Sequence, residues 1–240
     1  MEIIFLTSRF PFPLNKGDKL RAYHQIKELS KKNNIHLISI SDQKIFNDEL
    51  NELKNFCSSV HIFYLSKTKI FFNLLRGLFN NKPFQVNYFF SYSAKKKINS
   101  LIKTINPDHI FCQLIRCAWY LKDEYNYPKT LDYMDALSKG MERRIEGSGW
   151  KRFIFKIENE RLKQFENLSY EFFDNHTIIS QADQEYIPHE KKTEIKVIPN
   201  GIDTDFFKKN NTKPNYDLVF IGNLSYAPNV DVVEYIYNDL

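Results

Sequence analysis

Asp132 and Asp135, three residues apart in Asp132-Tyr133-Met134-Asp135-Ala136-Leu137-Ser138, end a short apolar run and are the clearest acid–base candidates in the chain. Two carboxylates at that spacing can orient a hydroxyl and accept its proton. The competing reading is that Asp135 or Ser138 caps the helix that follows. A second group lies near the N-terminus, in the loop Pro11 to Arg21. There Gly17 allows close backbone approach, while Lys16, Lys19 and Arg21 add positive charge. A helix starting behind this loop aims its N-terminus at it, an arrangement that favours a phosphate. In the alternative the loop is structural and Asp18 is an ordinary helix cap. Lys16, Gly17, Asp18 and Arg21 are therefore candidate substrate-binding residues, with His24 within reach on the same helix. His176 precedes a strand pattern and reads as structural.

These groups need a frame, and the hydrophobic periodicity supplies one. Short apolar runs at 2–6, 35–40, 60–65, 109–114, 130–133, 177–180 and 195–198 alternate with helical patterns at 19–31, 47–56, 94–105 and 151–173. Strands separated by helices imply an α/β fold with a parallel sheet covered on both faces. Such sheets bind ligands at the carboxyl ends of their strands, which is where both groups fall. After the strand at 195–198, Pro199-Asn200-Gly201 makes a tight turn and a polar connector runs to Pro214. A new strand is expected at 217–221. It breaks at Gly222-Asn223, and Asn229 fits the cap of a helix at 230–237.

Composition limits the function classes. The 240 residues, 42% hydrophobic and 15% aromatic, describe an ordered globular chain with one full domain and a remainder. Cys57, Cys112 and Cys117 are an odd set at spacings that fit no zinc site, so reduced structural thiols are expected. Met1 to Leu6 is apolar but leads to no cleavage-like site, and no run reaches the ~18 apolar residues of a spanning helix. The expected location is the cytoplasm.

The formal charge of +5 is unevenly spread. Between Glu52 and Asp108 there is no acidic residue, while Lys54, Lys67, Lys69, Arg76, Lys82, Lys95, Lys96, Lys97 and Lys103 all fall there. Inside that zone, 70–79 reads as an amphipathic helix with Asn73, Arg76, Gly77 and Asn80 on its polar side. Two readings stand: its Phe and Leu side docks on an anionic leaflet at the inner face of the cell membrane, or it packs on the core. No nucleic-acid module accompanies the lysines.

The order of motifs resembles the GT-B fold glycosyltransferases of the large retaining family 4, especially members acting on bacterial surface polysaccharides. The residues carrying the resemblance are Gly17-Asp18-Lys19-Leu20-Arg21, Asp132-x-x-Asp135, a long helix with Glu158, Arg161, Leu162 and Glu166, and the strand ending at Ser180. To these add Ile198-Pro199-Asn200-Gly201-Ile202-Asp203 and Phe220-Ile221-Gly222-x-x-x-Tyr226-x-Pro228-Asn229. The resemblance implies a Rossmann-like acceptor-side domain over 1–198, a linker over 199–214, and over 215–240 the first strand and helix of a second Rossmann-like domain that binds a nucleotide sugar. It implies Asp132 and Asp135 as catalytic residues, with Asn200, Gly201, Asp203, Gly222 and Asn223 on the nucleotide-sugar side. A nucleotide-diphosphate sugar would be donor and a glycan or lipid-linked molecule acceptor, with no bound metal and no cofactor. The family's glutamate-rich donor motif falls beyond Leu240. An alternative is a truncated, non-catalytic acceptor-binding or partner module. A nucleotide-sugar epimerase lacks support, because no Gly-x-Gly-x-x-Gly follows the first strand.

Overall fold

The computed structural model describes all residues except 146–148, 203–215, 223, 225, 226 and 240, and the side chains of 227 and 228. The described chain divides into two compact units, Met1–Asn200 and Gly201–Leu240.

The first unit is a seven-stranded parallel sheet in the order β3-β2-β1-β4-β5-β6-β7. Its strands are β1 Glu2–Thr7, β2 Asn34–Ser41, β3 Ser59–Tyr64, β4 His109–Gln113, β5 Lys129–Asp132, β6 Asn175–Ile178 and β7 Lys196–Val197. The connecting helices are α1 Gly17–Ser30, α2 Asn47–Lys54, α3 Lys67–Gly77, α4 Phe84–Phe89, α5 Tyr92–Ile105, α6 Leu137–Ile145, α7 Arg152–Tyr170 and α8 Gln181–Tyr186. A 3-10 turn over Ile115–Tyr120 follows β4.

Strand alternation divides the core into two layers. Ile3 and Phe5 of β1, with Ile35 and Leu37 of β2, face Ala22, Tyr23 and Ile26 of α1 and Leu53 of α2. Ile4 and Leu6, with Ile38, Ile40 and Leu131, face Ile98 and Ile102 of α5 and Leu162 and Phe165 of α7. Slipping one strand by a residue would exchange the two sets, so the register is set by both layers at once. At the centre Phe5 stacks on Phe111 of β4, with ring centroids 4.7 Å apart.

The chain leaves β1 towards β2 and β3, then crosses back to place β4 on the other side of β1. The carboxyl ends of β1 and β4 therefore flank the crevice where the strand order reverses, the usual ligand position in such sheets. Leu114, just after β4, has φ 66°, and Met134, two residues past β5, has φ 61°. Both are non-glycine residues in the left-handed region, a conformation that costs on the order of 1–3 kcal/mol and clusters at functional sites.

In the second unit the chain over 216–222 is irregular, which corrects the strand expected at 217–221. A strand exists through its ladder partners, and none of the described residues supplies one. Helix α9, Ala227–Asp239, does form. It begins before Asn229, so that residue lies inside the helix and is not its cap. An added Cβ at Gly222 would fall 2.5 Å from Phe220 Cζ and 2.9 Å from Asn229 Nδ2, so a larger residue there would have to displace those side-chain ends.

Candidate functional site

The carboxyl edge of the sheet gathers a set of arginines and aspartates from segments far apart in sequence. On α1, Arg21 is buried and aims its guanidinium at Asp132, the last residue of β5. Its Nε donates to Asp132 Oδ2 at 2.7 Å and its Nη2 to Oδ1 at 3.4 Å. The remaining Nη1 donates to Asn200 Oδ1 at 2.9 Å, so one side chain ties α1, β5 and the segment after β7 together. A two-pronged contact of this kind is among the stronger charge-assisted arrangements.

Asp132 itself is fully buried and its oxygens are occupied. Besides Arg21, Oδ1 accepts from Thr177 Oγ1 at 3.0 Å and from the Met134 amide at 3.3 Å, and Oδ2 accepts from Gln25 Nε2 at 3.3 Å. A carboxylate so engaged holds its neighbours in place and has no free lobe to offer a substrate proton.

Asp135 is placed differently. Its carboxyl is open to solvent, yet protein crowds it enough to remove part of its hydration. That desolvation raises its proton affinity above the ordinary carboxylate range, helped by Asp183 and Asp132 and opposed by Arg21 and Arg116. An accessible carboxylate with raised proton affinity beside two guanidinium groups suits a general base. Asp183, in the first turn of α8, is fixed by Ser180 Oγ at 2.5 Å and accepts from the Ala136 amide at 3.4 Å. Helix α6 begins at Leu137, so neither Asp135 nor Ser138 holds its cap position; the Ser138 amide, inside the first turn, donates to Glu166 Oε1 at 3.0 Å.

The first loop contributes a second ion-pair cluster. Arg9 Nη1 meets Asp18 Oδ2 at 2.6 Å, and Arg116 Nη1 lies 3.9 Å from the same oxygen. Gln113 Nε2, at the end of β4, donates to the Asp18 carbonyl at 2.9 Å. Burial first, then Arg9, pull Arg116 down to about 10, against Asp18, which leaves it charged at neutral pH. Asp18 sits inside the first turn of α1 and is not its cap; that position belongs to Lys16, which makes no side-chain capping bond. Lys16 and Gly17 are exposed, and a Cβ at Gly17 would meet nothing within 4 Å.

Of the residues singled out in the sequence, Arg21, Asp132 and Asn200 are bonded together, with Asp135 in their field and Asp18 in the neighbouring cluster. His24 is not drawn in; it is exposed on α1 with its ring edge-on to Tyr23 at 5.3 Å. Gly201 and Gly222 belong to the second unit, and Asp203 and Asn223 lie outside the described residues. Sequence reasoning missed Arg9, Arg116 and Asp183. All three lie within a few residues of a strand's carboxyl end, so weighing every such position would have found them. The left-handed turns at Leu114 and Met134 carry no glycine or asparagine to announce them. His176, read as structural, is buried and hydrogen-bonded to the Tyr170 carbonyl at 2.9 Å. The three cysteines are free and buried, and burial pushes the Cys57 thiol up to about 12.

No protein-family model and no curated protein matches the chain. Among solved structures it is similar to sucrose-phosphate synthase from Thermosynechococcus elongatus, with a TM-score of 0.54 at 12% identity over 86% of this chain and 50% of that one. It is also similar to Medicago truncatula UGT71G1 complexed with UDP-glucose, with a TM-score of 0.49 at 16% identity over 91% and 54%. A UDP-glucosyltransferase from Polygonum tinctorium gives 0.46 at 9% identity over 89% and 55%. The chain thus spans about half the length of the structures it matches. At such identities the likeness is one of fold: a Rossmann-like parallel sheet of the GT-B type.

Proposed function

We propose that this chain is the acceptor-side half of a nucleotide-sugar-dependent glycosyltransferase of the retaining family 4 type, acting on a glycan or lipid-linked acceptor in bacterial surface-polysaccharide synthesis. Residues 1–198 form the acceptor domain, 199–214 the linker, and 215–240 the start of the donor-binding domain. The observation that carries the reading is the exposed Asp135 beside the buried Arg21–Asp132–Asn200 tie at the carboxyl edge of the sheet.

In this reading Asp135 orients the acceptor hydroxyl and takes up its proton as the oxygen bonds to the anomeric carbon and the bond to the diphosphate breaks. Arg21 is held rigid by Asp132, so its charge beside Asp135 is preorganised and needs no rearrangement during the reaction. Asn200 fixes the start of the linker against the same guanidinium. Lys16 and the uncapped N-terminus of α1 supply donors for an anionic group on acceptor or donor. The nucleotide-diphosphate sugar is a substrate, and no metal is required.

The test is transfer from a panel of labelled nucleotide sugars to glycan and polyprenyl-linked acceptors by the full reading frame that contains this chain. Donor-dependent transfer that falls by about 10²–10⁴-fold in Asp135→Asn, with circular dichroism unchanged, is the expected result. A folded full-length protein inactive with every donor sinks the reading, and acceptor binding without transfer would favour the non-catalytic module.

A further inference from the structure

Helix α3 presents its two sides the opposite way round from an ordinary surface helix. Its small and polar residues face the protein. Asn73 Nδ2 donates to the Phe90 carbonyl at 2.6 Å, and Asn80 and Asn87 exchange amide bonds at 3.2 and 3.1 Å. Gly77 is buried against α4, where a Cβ would lie 3.1 Å from Asn87 Nδ2 and 3.2 Å from Phe84 Cδ1. Ile70 and Leu74 are half-buried, but five apolar residues face water instead: Phe71, Phe72, Leu75, Leu78 and Phe79 are all exposed, Phe72 by 67% and Phe79 by 89%. Their spacing of one, four, seven and eight residues from Phe71 makes a single stripe along the helix and just past its end. The stripe itself therefore does not pack on the core, although Ile70 beside it does.

Cations flank the stripe on the same helix. Lys67, Lys69 and Arg76 lie on α3 itself. Lys69 Nζ donates to Ser93 Oγ at 3.0 Å and Arg76 Nη2 to Tyr92 Oη at 2.6 Å, which fastens α3 to the first turn of α5. The whole stretch from β3 through α5 lies within the zone that carries no acidic residue.

We propose that this face docks on the anionic headgroup surface of a lipid bilayer, with the Phe and Leu stripe entering the interface and the lysines and Arg76 meeting the headgroups. Charge selects the occupant. A second copy of the chain would bring two cationic zones together, whereas an anionic leaflet complements the cations and also receives the apolar side chains. Among the described residues no helix is long and apolar enough to cross a membrane, and the contact proposed is made by this surface face. The inference stands independently of the transferase reading.

The experiment is co-sedimentation of the full chain with vesicles of phosphatidylcholine alone and of equimolar phosphatidylcholine and phosphatidylglycerol, alongside light scattering without lipid. Binding to the anionic vesicles at least about tenfold tighter than to neutral ones, and released by salt, is expected. The Phe72→Ser/Phe79→Ser double variant should lose about tenfold or more of that binding. Both side chains are exposed, so its circular dichroism and unfolding midpoint should match the parent's. Equal binding to both vesicle types, wild-type binding by the double variant, or no binding to anionic vesicles would overturn the proposal. Self-association abolished by the double variant, with no lipid binding, would assign the face to a second copy.

Discussion

An Asp132→Ala change would leave the Arg21 guanidinium buried with only the Asn200 amide oxygen as a partner. Removing one member of a buried ion pair costs on the order of 3–5 kcal/mol, because the remaining charge loses its compensation. Asp135→Asn removes an exposed carboxylate whose charged form the surroundings already disfavour, and should change stability by less than about 0.5 kcal/mol. Urea unfolding of the two variants at neutral pH checks the contrast; equal losses would mean that Asp132 is not the structural member of the pair. The sequence presents these aspartates as equivalent. What separates them is Arg21, 111 residues away from Asp132, and Thr177, 45 residues away. The position of the site at the strand ends was legible because periodicity located the strands, but the division of labour inside it depends on partners that only the tertiary fold brings near.

Helix α7 shows the same limit at the level of the element. Glu158, Arg161, Leu162 and Glu166 recur at three to four residue spacing, so their common helix was readable, but their work was not. Glu158 accepts from the amides of Phe84 at 2.6 Å and Gln85 at 3.1 Å, capping α4 from a distance, and Arg161 Nη1 donates to the Gly77 carbonyl at 2.7 Å at the end of α3. Glu166 serves the first turn of α6 in the same way. Helix α4 escaped the sequence reading for this reason: it begins after Pro83 with no side-chain cap of its own, and the capping carboxylate lies 74 residues away. Burial raises Glu166 from the ordinary 4.5 to about 7, against hydrogen bonds from Ser138 and Leu137. The folded state therefore holds a proton that the unfolded state releases, and this group's contribution falls as pH rises from about 4.5 to 7. Glu166→Gln cannot ionise, so its stability relative to the parent should improve by on the order of 3 kcal/mol between pH 4.5 and 8. Urea midpoints measured across that range decide it, and a difference independent of pH would refute the assignment.

For the whole molecule, the buried hydrophobic residues of both core layers fall between Ile3 and Ile195, and all seven strands end by Val197. The alternation of strand and helix made this sheet legible, since each apolar run had another to pair with. The run at 217–221 has the same composition but no neighbouring strand among the described residues, and composition without a ladder partner does not make a strand. In α9, Val232, Tyr235 and Tyr237 are exposed, and an isolated helix of thirteen residues is marginal in water. A protein cut after Asn200 keeps the complete sheet, both core layers and the Arg21–Asn200 bond. It should therefore unfold in urea as one cooperative transition with the near-ultraviolet dichroism of the parent, and its unfolding free energy should differ by less than about 0.5 kcal/mol. The peptide 201–240 alone should show little helix by far-ultraviolet dichroism. A broad, non-cooperative transition for residues 1–200 would mean that the first unit draws its stability from residues beyond its own core, and the sheet could not then be treated as an autonomous domain.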